Sequence, residues 1–389
     1  RLVGAARAVR IIRRTLQPTT APNPRLAMSL GEFDLIQHFF TRPVRRSPLG
    51  VGDDCALLAP APGMQLAVST DMLVEGRHFV STVAPRRLGH KALAVNLSDL
   101  AACGARPLAY TLAFALPRAD AAWLGELAAG LHALADEHAI ELVGGDTTAG
   151  PLNLCITVFG EVPAGQALLR SGAAPGDDLW VSGRTLGDAR LALEVLRGTL
   201  QLPGDAFEQV RRAMEQPAPR VALGQALRGV ATAAIDISDG LLGDLGHVLR
   251  RSGAAQASVA QAGSASPAVE SHSDTDTSTP ATRSAPSGAT PVAHAPLGAT
   301  LFAAELPRSA VLAALSADVQ LEFLLAGGDD YELLFTAPPT SANAVRAAGI
   351  ASTTEVSRIG RIEVEPGVRV VGVDGQVLAT PWASFDHFR

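Results

Sequence analysis

The aspartates are the residues of this sequence whose positions most clearly suggest chemistry. Seven of them stand beside Gly, Ser or Thr or within apolar stretches, most at the end of a short apolar run: Asp53, Asp54, Asp71, Asp99, Asp146, Asp236 and Asp239. In open α/β sheets, ligands bind at the ends of strands, so such turns can meet at one place. Each aspartate alone could be a turn or helix-capping residue. Their shared apolar context favours a common site.

Asp99 is the most informative of the seven, because it falls inside an apolar helix predicted for residues 85–104. A buried carboxylate is costly unless it is paired, and Lys91 is the only lysine in the chain. Divalent cations are therefore the expected partners, and an all-oxygen ligand set selects Mg²⁺. Ser69 and Thr70 can add hydroxyl or carbonyl oxygens. No set of histidines and cysteines supports zinc.

Carboxylates bridged by Mg²⁺ can hold a nucleoside triphosphate and a second phosphate together, which indicates phosphoryl transfer. Backbone N–H groups of residues 144–148 lie beside Asp146, and Ser238 opens a predicted helix whose N-terminus suits an anion. Arg170 offers a planar fork for a phosphate or forms a surface ion pair. The sequence has no P-loop, since no Gly-Lys-Ser/Thr occurs.

Fewer residues of the sequence point to a site for the phosphate acceptor. His78 is a candidate general base, but a phosphate acceptor is already ionised and needs none, so a substrate contact or a packed histidine are the alternatives. Glu75 is a weaker candidate. Asp329 follows two glycines in a loop that either faces a ligand or simply turns. Trp382 either stacks on a flat ring or covers the core, and the residues alone favour the core.

Composition limits the class of protein. At 389 residues, with 47% hydrophobic and 18% charged residues, the chain predicts a globular protein of two domains. A net charge of −6 argues against a nucleic-acid partner. The three cysteines form no CxxC pair, which indicates a reducing cytoplasm, and no apolar run reaches the length of a membrane helix.

The predicted fold class is α/β, with two domains. Residues 28–162 alternate strands and helices and predict a mixed sheet backed by helices. Residues 163–389 predict a second α/β domain. Residues 253–295 contain no Leu, Ile or aromatic residue, so we expect a disordered surface insertion there. Residues 1–27 are basic and lack acidic residues; we expect a disordered or upstream extension before Met28, with an amphipathic targeting helix as the alternative.

Nine motifs, taken in order, resemble the thiamine-monophosphate kinase family. They are GEF, GDDCA, STDMLVEGRHF, KALAVNLSDLAACGARP, GGDTT, RSGAAPGDDLWVSG, DISDGLLGDLGH, GGDDYELLFT and the terminal W…FDHF. The resemblance extends from Met28 to Phe388 except across the insertion. It implies transfer of the ATP γ-phosphoryl group to thiamine monophosphate, in line and with several Mg²⁺ ions, giving thiamine diphosphate. It also implies a homodimer whose N-terminal sheets join into a β-barrel.

The resemblance assigns roles to positions of this sequence. It implies these metal ligands: Asp54, Ser69, Thr70, Asp71, Asp99, Asp146, Asp236 and Asp239. It implies ATP contacts at Gly145, Asp146, Arg170 and Ser238. It implies thiamine-phosphate contacts at His78, Asp329 and Trp382, which favours ring stacking by Trp382. No residue is expected to act as a general base.

The sequence departs from the family at Asp329, where the family usually has Glu, a side chain longer by one methylene.

Two other functions remain open. One is a different ATP-using enzyme of the superfamily that contains aminoimidazole ribonucleotide synthetase, selenophosphate synthetase and a hydrogenase maturation protein. The other is a non-catalytic protein that binds Mg-nucleotide or thiamine. The VEGRHF and YELLFT motifs argue against the first, and the near-complete acidic set argues against the second.

Overall fold

A computed structural model describes residues 32–264, 297–379 and 381 of the protein. The predicted extension at residues 1–27, most of the predicted insertion and Trp382 lie outside the described residues. Within the described ranges, no helix has both the length and the apolar character to cross a membrane.

The N-terminal half is built on a four-stranded mixed sheet. Its strands are β1 (Met64–Val74), β2 (Arg106–Leu116), β3 (Glu141–Ala149) and β4 (Asn153–Pro163). They lie in the order β1-β4-β2-β3, and only the β2–β3 pair is parallel. The mixed sheet predicted for this half is therefore present.

Two long helices cover one face of this sheet: α2 (Pro85–Ala102) and α3 (Ala121–Glu137). Pro85 begins α2, and the Asp120 carboxylate caps α3 by accepting hydrogen bonds from the next turn. The helices cross closely, because a Cβ atom at Gly130 would collide with the Arg86 carbonyl oxygen. The first described helix, α1 (Glu32–Leu35), continues as a π-helical turn over Ile36–Phe40.

The C-terminal half contains a six-stranded sheet. Its strands are β5 (Asp178–Ser182), β6 (Ala233–Asp236), β7 (Gly298–Phe302), β8 (Leu333–Ala337), β9 (Val356–Glu363) and β10 (Gly367–Val371). They lie in the order β10-β7-β9-β5-β8-β6, with only β7 and β10 parallel. The helices of this half are α4 (Asp188–Leu196), α5 (Gly204–Glu215), α6 (Val221–Ala226), α7 (Leu241–Ser264), α8 (Ala310–Ala313), α9 (Ala317–Ala326) and α10 (Ala342–Ala351).

The structure differs from the sequence-based expectations in three segments. Helix α7 runs to Ser264, so the first part of the predicted insertion is helical, because its alanines extend a helix already anchored by buried residues such as Leu245 and Val248. The sequence predicts a strand over residues 140–143 that ends at the GGDTT motif, whereas the motif lies inside β3. Residues 49–58 predict a glycine turn that leads into an apolar strand, whereas they form only isolated bridges, Leu49–Leu57 among them.

Candidate functional site

A cavity of about 1140 Å³ opens between the helix-covered face of the N-terminal sheet and the C-terminal half. Four carboxylates from three segments line it: Asp71 of β1, Asp99 of α2, and Asp236 and Asp239 where β6 passes into α7. Arg170, Ser238, His78 and Asp329 line the same cavity. The structure therefore brings together eight of the residues singled out in the sequence.

Strand β1 and helix α2 position the first two carboxylates. Asp71 lies on the inner face of β1, and its backbone N–H donates to the Asn96 Oδ1 of α2 over 3.0 Å. Asp99 is one helical turn further along α2, where its Oδ2 accepts a 2.5 Å hydrogen bond from the Ser69 hydroxyl. Ser69 thus holds Asp99 and does not itself line the cavity.

The other two carboxylates stand where β6 passes into α7. Asp236 ends β6, is 4% exposed, and accepts a 2.8 Å hydrogen bond from the Ser98 hydroxyl of α2. Asp239 follows in the loop before α7. The Asp244 carboxylate, in the first turn of α7, accepts hydrogen bonds of 3.1 Å from the backbone N–H groups of Ser238 and Asp239. Asp244 therefore holds this loop in place.

Burial raises the pKa values of Asp71, Asp99 and Asp236, and repulsion from neighbouring carboxylates adds to the shift for Asp71 and Asp236. Burial, followed by repulsion from Asp99 and Asp239, raises the pKa of Asp71 to about 6. Burial, followed by repulsion from Asp99, raises the pKa of Asp236 to about 8. Burial also raises the pKa of Asp99, although Ser69 and Arg170 oppose the shift. A cation in the cavity would reverse these shifts.

The donor set suits Mg²⁺ but is not a complete cage for it. Among the described residues, no three His, Cys, Asp or Glu side chains are arranged to hold one ion by themselves. Mg²⁺ typically takes one or two carboxylates and completes its shell with water and substrate phosphates. Asp71, Asp99, Asp236 and Asp239 are all hard oxygen ligands, so they fit such an ion.

Other predicted ligands lie on the opposite face of the same sheet. The pairing of the strands puts Thr70, Thr157 and Asp146 on the face away from α2, and the Thr70 and Thr157 hydroxyls are 2.8 Å apart. Asp146 is exposed on β3, three strands from β1, which corresponds to about 14 Å across the sheet. Asp54 is exposed in the loop before β1. The predicted ligands Thr70, Asp146 and Asp54 do not line the cavity.

Gly145 has a local structural role that explains its residue type. It pairs with Leu112 of β2, and a Cβ atom at this position would collide with the Leu112 carbonyl oxygen. A glycine therefore allows β3 to approach β2 closely beside Asp146.

The acceptor-side candidates meet at the turn after β1 and at the turn before β8. The half-buried His78 accepts a 3.0 Å hydrogen bond at Nδ1 from the backbone N–H of Val74. Asp329 accepts hydrogen bonds from Lys91 Nζ at 2.9 Å and from the Tyr331 hydroxyl at 3.1 Å. Glu75 is exposed and does not line the cavity.

Four supporting residues were not selected as site residues from the sequence: Lys91, Ser98, Tyr331 and Asp244. Ser98 and Lys91 share α2 with Asp99, and Asp244 stands five residues after Asp239 at a helix start, which is a capping position. These spacings were visible, but the contacts of Lys91 and Tyr331 with Asp329 depend on tertiary structure.

Comparison with known proteins first shows a similarity to the class of AIR synthase-related proteins. Residues 52–162 match the family described as AIR synthase related protein, N-terminal domain. Hydrogenase maturation protein HypE in complex with ATP shares the fold at 19% identity, with a TM-score of 0.63 over 90% of this chain and 92% of that chain.

Proteins of higher sequence identity show which family the chain belongs to. The chain is 40% identical to thiamine-monophosphate kinase of Salmonella typhimurium, over 93% of this chain and 99% of the relative. A crystal structure of thiamine-monophosphate kinase from Stenotrophomonas maltophilia is 40% identical, with a TM-score of 0.69 over 86% of this chain and 92% of that chain. A structure of AaThiL complexed with AMPPCP and TMP is 26% identical, with a TM-score of 0.64 over 85% and 89%. The protein belongs to the thiamine-monophosphate kinase family and is a kinase, which confirms the resemblance inferred from the motifs.

Proposed function

We propose that this protein transfers the γ-phosphoryl group of ATP to the phosphate of thiamine monophosphate, in line and in one step, giving thiamine diphosphate. The observation that carries the proposal is the convergence of Asp71, Asp99, Asp236 and Asp239 in one cavity. The relatives are named for this activity, and one of them binds AMPPCP and TMP together. Both lines of support point to a site that holds two phosphate-bearing ligands.

The charge of the cavity supports a requirement for several Mg²⁺ ions. Anionic substrates cannot approach four carboxylates directly, and these carboxylates already repel one another. When bound, Mg²⁺ would supply positive charge that offsets the charge of the phosphates and the charge that develops during transfer. Asp71, Asp99, Asp236 and Asp239 would hold the ions from the inner face.

The remaining residues of the cavity orient the two substrates. Arg170 is exposed at the cavity and offers its guanidinium to a nucleotide phosphate, next to the Ser238 loop that begins α7. His78 and Asp329 contact the thiamine monophosphate. The reaction needs no general base, because the attacking phosphate oxygen is already ionised. The Nδ1 atom of His78 is also occupied by a backbone hydrogen bond.

The outer face of the sheet supports assembly as a homodimer. Three apolar side chains of β1 project there, Leu66, Val68 and Met72, and each is about half exposed (46%, 57% and 53%). Such a contiguous apolar stripe favours burial against another protein surface. A second copy packed on this face, as in the proposed barrel, would enclose Thr70 and Asp146 and bring them into a site with Gly145 and Asp54.

Residues 28–162 would then bind ATP and Mg²⁺ and form the dimer, and residues 163–389 would complete the acceptor side with Trp382.

The decisive assay incubates the protein with Mg²⁺, γ-labelled ATP and thiamine monophosphate and separates the products. Labelled thiamine diphosphate is the expected product, and Asp99→Asn should abolish it while Asp318→Asn, an exposed helical aspartate outside the cavity, should not. ADP release stimulated only by a formylglycinamidine or a selenide would overturn the proposal in favour of another enzyme of the superfamily. Nucleotide binding without any turnover would support a non-catalytic binding protein instead.

A further inference from the structure

The only lysine of the chain is buried at the junction of the two halves. Lys91 lies on α2 and is 2% exposed, in a protein whose other basic residues, apart from histidines, are all arginines. Its Nζ donates to the Asp329 Oδ2 at 2.9 Å and to the backbone carbonyl oxygen of His78 at 3.2 Å. One ammonium therefore joins helix α2, the turn after β1 and the turn before β8.

A buried ammonium requires such partners, because removing it from water is costly. Lysine suits this position better than arginine, since a compact group at the end of a flexible stem can bridge one carboxylate and one carbonyl, whereas arginine needs room for a planar fork. The strong preference of this sequence for arginine elsewhere makes the residue type at position 91 informative.

The turn that carries Asp329 has an unfavourable backbone conformation, which is held by backbone hydrogen bonds to Ser238 and Ile237 and by side-chain contacts of Asp329. Asp329 and Tyr331 both have left-handed backbone conformations, with φ of 66° and 50°, which non-glycine residues adopt at a cost. The Asp329 carboxylate accepts from Lys91 on one oxygen and from the Tyr331 hydroxyl on the other. Its side chain is still 35% exposed and lines the cavity, so the carboxylate is accessible to a ligand there.

The ion pair also changes what Asp329 offers to a ligand. With its charge balanced by Lys91, the carboxylate presents a fixed hydrogen-bond acceptor and not a net negative charge. A neutral N–H donor, such as an amino group on a heteroaromatic ring, suits this acceptor better than a cationic ring does. Because Lys91 balances the charge of Asp329, this carboxylate adds no unpaired negative charge that would repel the substrate phosphates.

We propose that Lys91 is a positioning residue for the phosphate acceptor: it fixes the Asp329 carboxylate and the His78 backbone in the arrangement that receives the acceptor's neutral N–H donor, without contacting the acceptor itself. The inference rests on the proposed function for the identity of the acceptor. In this proposal, the part of the site that binds the acceptor is held in place by a contact between the two halves of the chain.

A double-mutant cycle tests this assignment with steady-state kinetics. Lys91→Met and Asp329→Asn should each raise KM for thiamine monophosphate roughly ten- to a hundredfold, with KM for ATP changed less than about twofold. The double variant should raise this KM by much less than the product of the two single effects, because Lys91 acts largely through Asp329. Lys91→Arg, which keeps the charge, should recover part of the lost affinity.

Arg87→Met provides the matched control. Arg87 lies one turn before Lys91 on α2 and pairs with Glu208 and Glu215 of α5, away from Asp329 and His78. Its loss should lower the melting temperature and leave both KM values unchanged. Circular dichroism checks that every variant is folded.

The outcomes separate the two proposals. Absence of thiamine monophosphate turnover by the unmutated protein overturns the proposed function, and Lys91 is then tested by the same cycle on whichever acceptor stimulates ADP release. Given turnover, additive effects of the two substitutions, equal rises in both KM values, or an unchanged KM in Lys91→Met would each overturn the positioning role. If Lys91→Met does not fold, Lys91→Arg alone decides by whether KM for the acceptor changes selectively.

Discussion

Replacing Asp236 by asparagine should stabilise the metal-free protein and at the same time abolish its activity. Asp236 is 4% exposed, and burial with repulsion from Asp99 raises its pKa to about 8. In the unfolded chain this carboxyl titrates near its ordinary value of 3.8. Between these two values the folded protein binds the extra proton, so stability falls as the pH rises through that window.

The magnitude follows from the distance between the assay pH and the ordinary pKa. At pH 7.5 that difference in pH, at about 1.36 kcal/mol per unit, lowers the free energy of unfolding of the wild type by about 5 kcal/mol relative to a side chain that stays neutral. Asp99 shares the repulsion and can take up a proton itself, so the gain in the variant should be about 2–5 kcal/mol. Asparagine is isosteric, never ionises, and can still accept the hydrogen bond from Ser98. At pH 4.5 the difference should shrink to about 1 kcal/mol.

The assay is urea denaturation of both proteins in EDTA at pH 4.5 and 7.5, followed by fluorescence and circular dichroism. The variant should unfold at higher urea than the wild type at pH 7.5 and at nearly the same urea at pH 4.5. Adding Mg²⁺ and ATP should then stabilise the wild type much more than the variant. Equal or lower stability of Asp236→Asn at pH 7.5, or a difference independent of pH, would refute the argument from burial and repulsion.

Three further predictions concern ligands and assembly. Asp99→Asn and Asp239→Asn should each reduce turnover by about a hundredfold or more with unchanged circular dichroism, and near-wild-type rates in both would contradict the Mg²⁺ assignment. Mg²⁺ with ATP at about a hundred times its Kd should raise the wild-type melting temperature by about 3 °C, whereas an unchanged melting curve would count against a shared cation site. Val68→Asp on the outer sheet face should shift the protein from dimer to monomer in light scattering, whereas Val364→Asp, on a different and 73% exposed surface, should not; a dimeric Val68→Asp protein would argue against this interface.

The elements that position the site could largely be predicted from local pattern. The apolar run that ends at Asp71, the helix around Asp99 and the short strand before Asp236 all appear at the expected places. These segments have strong periodicity or a clear glycine and proline boundary, so local preferences and the fold agree. Strand β7, strand β9 and helix α10 were not predicted, because they lie beyond the low-complexity segment, where the pattern offers weaker boundaries.

The division of the aspartates between two faces of one sheet could not be predicted from the order of motifs alone. Asp71 and Thr70 are neighbours in sequence but point to opposite faces, because side chains alternate along a strand. Asp146 falls on the outer face because GGDTT is part of β3 and its register with β2 contains a shift at Tyr110. Only the strand pairing determines which carboxylates can meet within a single chain.

This division bears on why a second chain would be needed. Burial raises the pKa values of Asp71, Asp99 and Asp236, and repulsion adds to the shift for Asp71 and Asp236, so a bound cation would relieve an unfavourable interaction on the inner face. Thr70 lies within the exposed apolar stripe of β1 and Asp146 lies on the same face of the sheet, where a partner's surface would exclude water and strengthen their interaction with an ion. A monomeric variant should for that reason lose affinity for Mg-ATP while retaining the pH-dependent stability that the inner carboxylates cause. Coupling of nucleotide affinity to dimerisation, measured by titrating Mg-ATP into the Val68→Asp protein, therefore tests whether the two faces form one site.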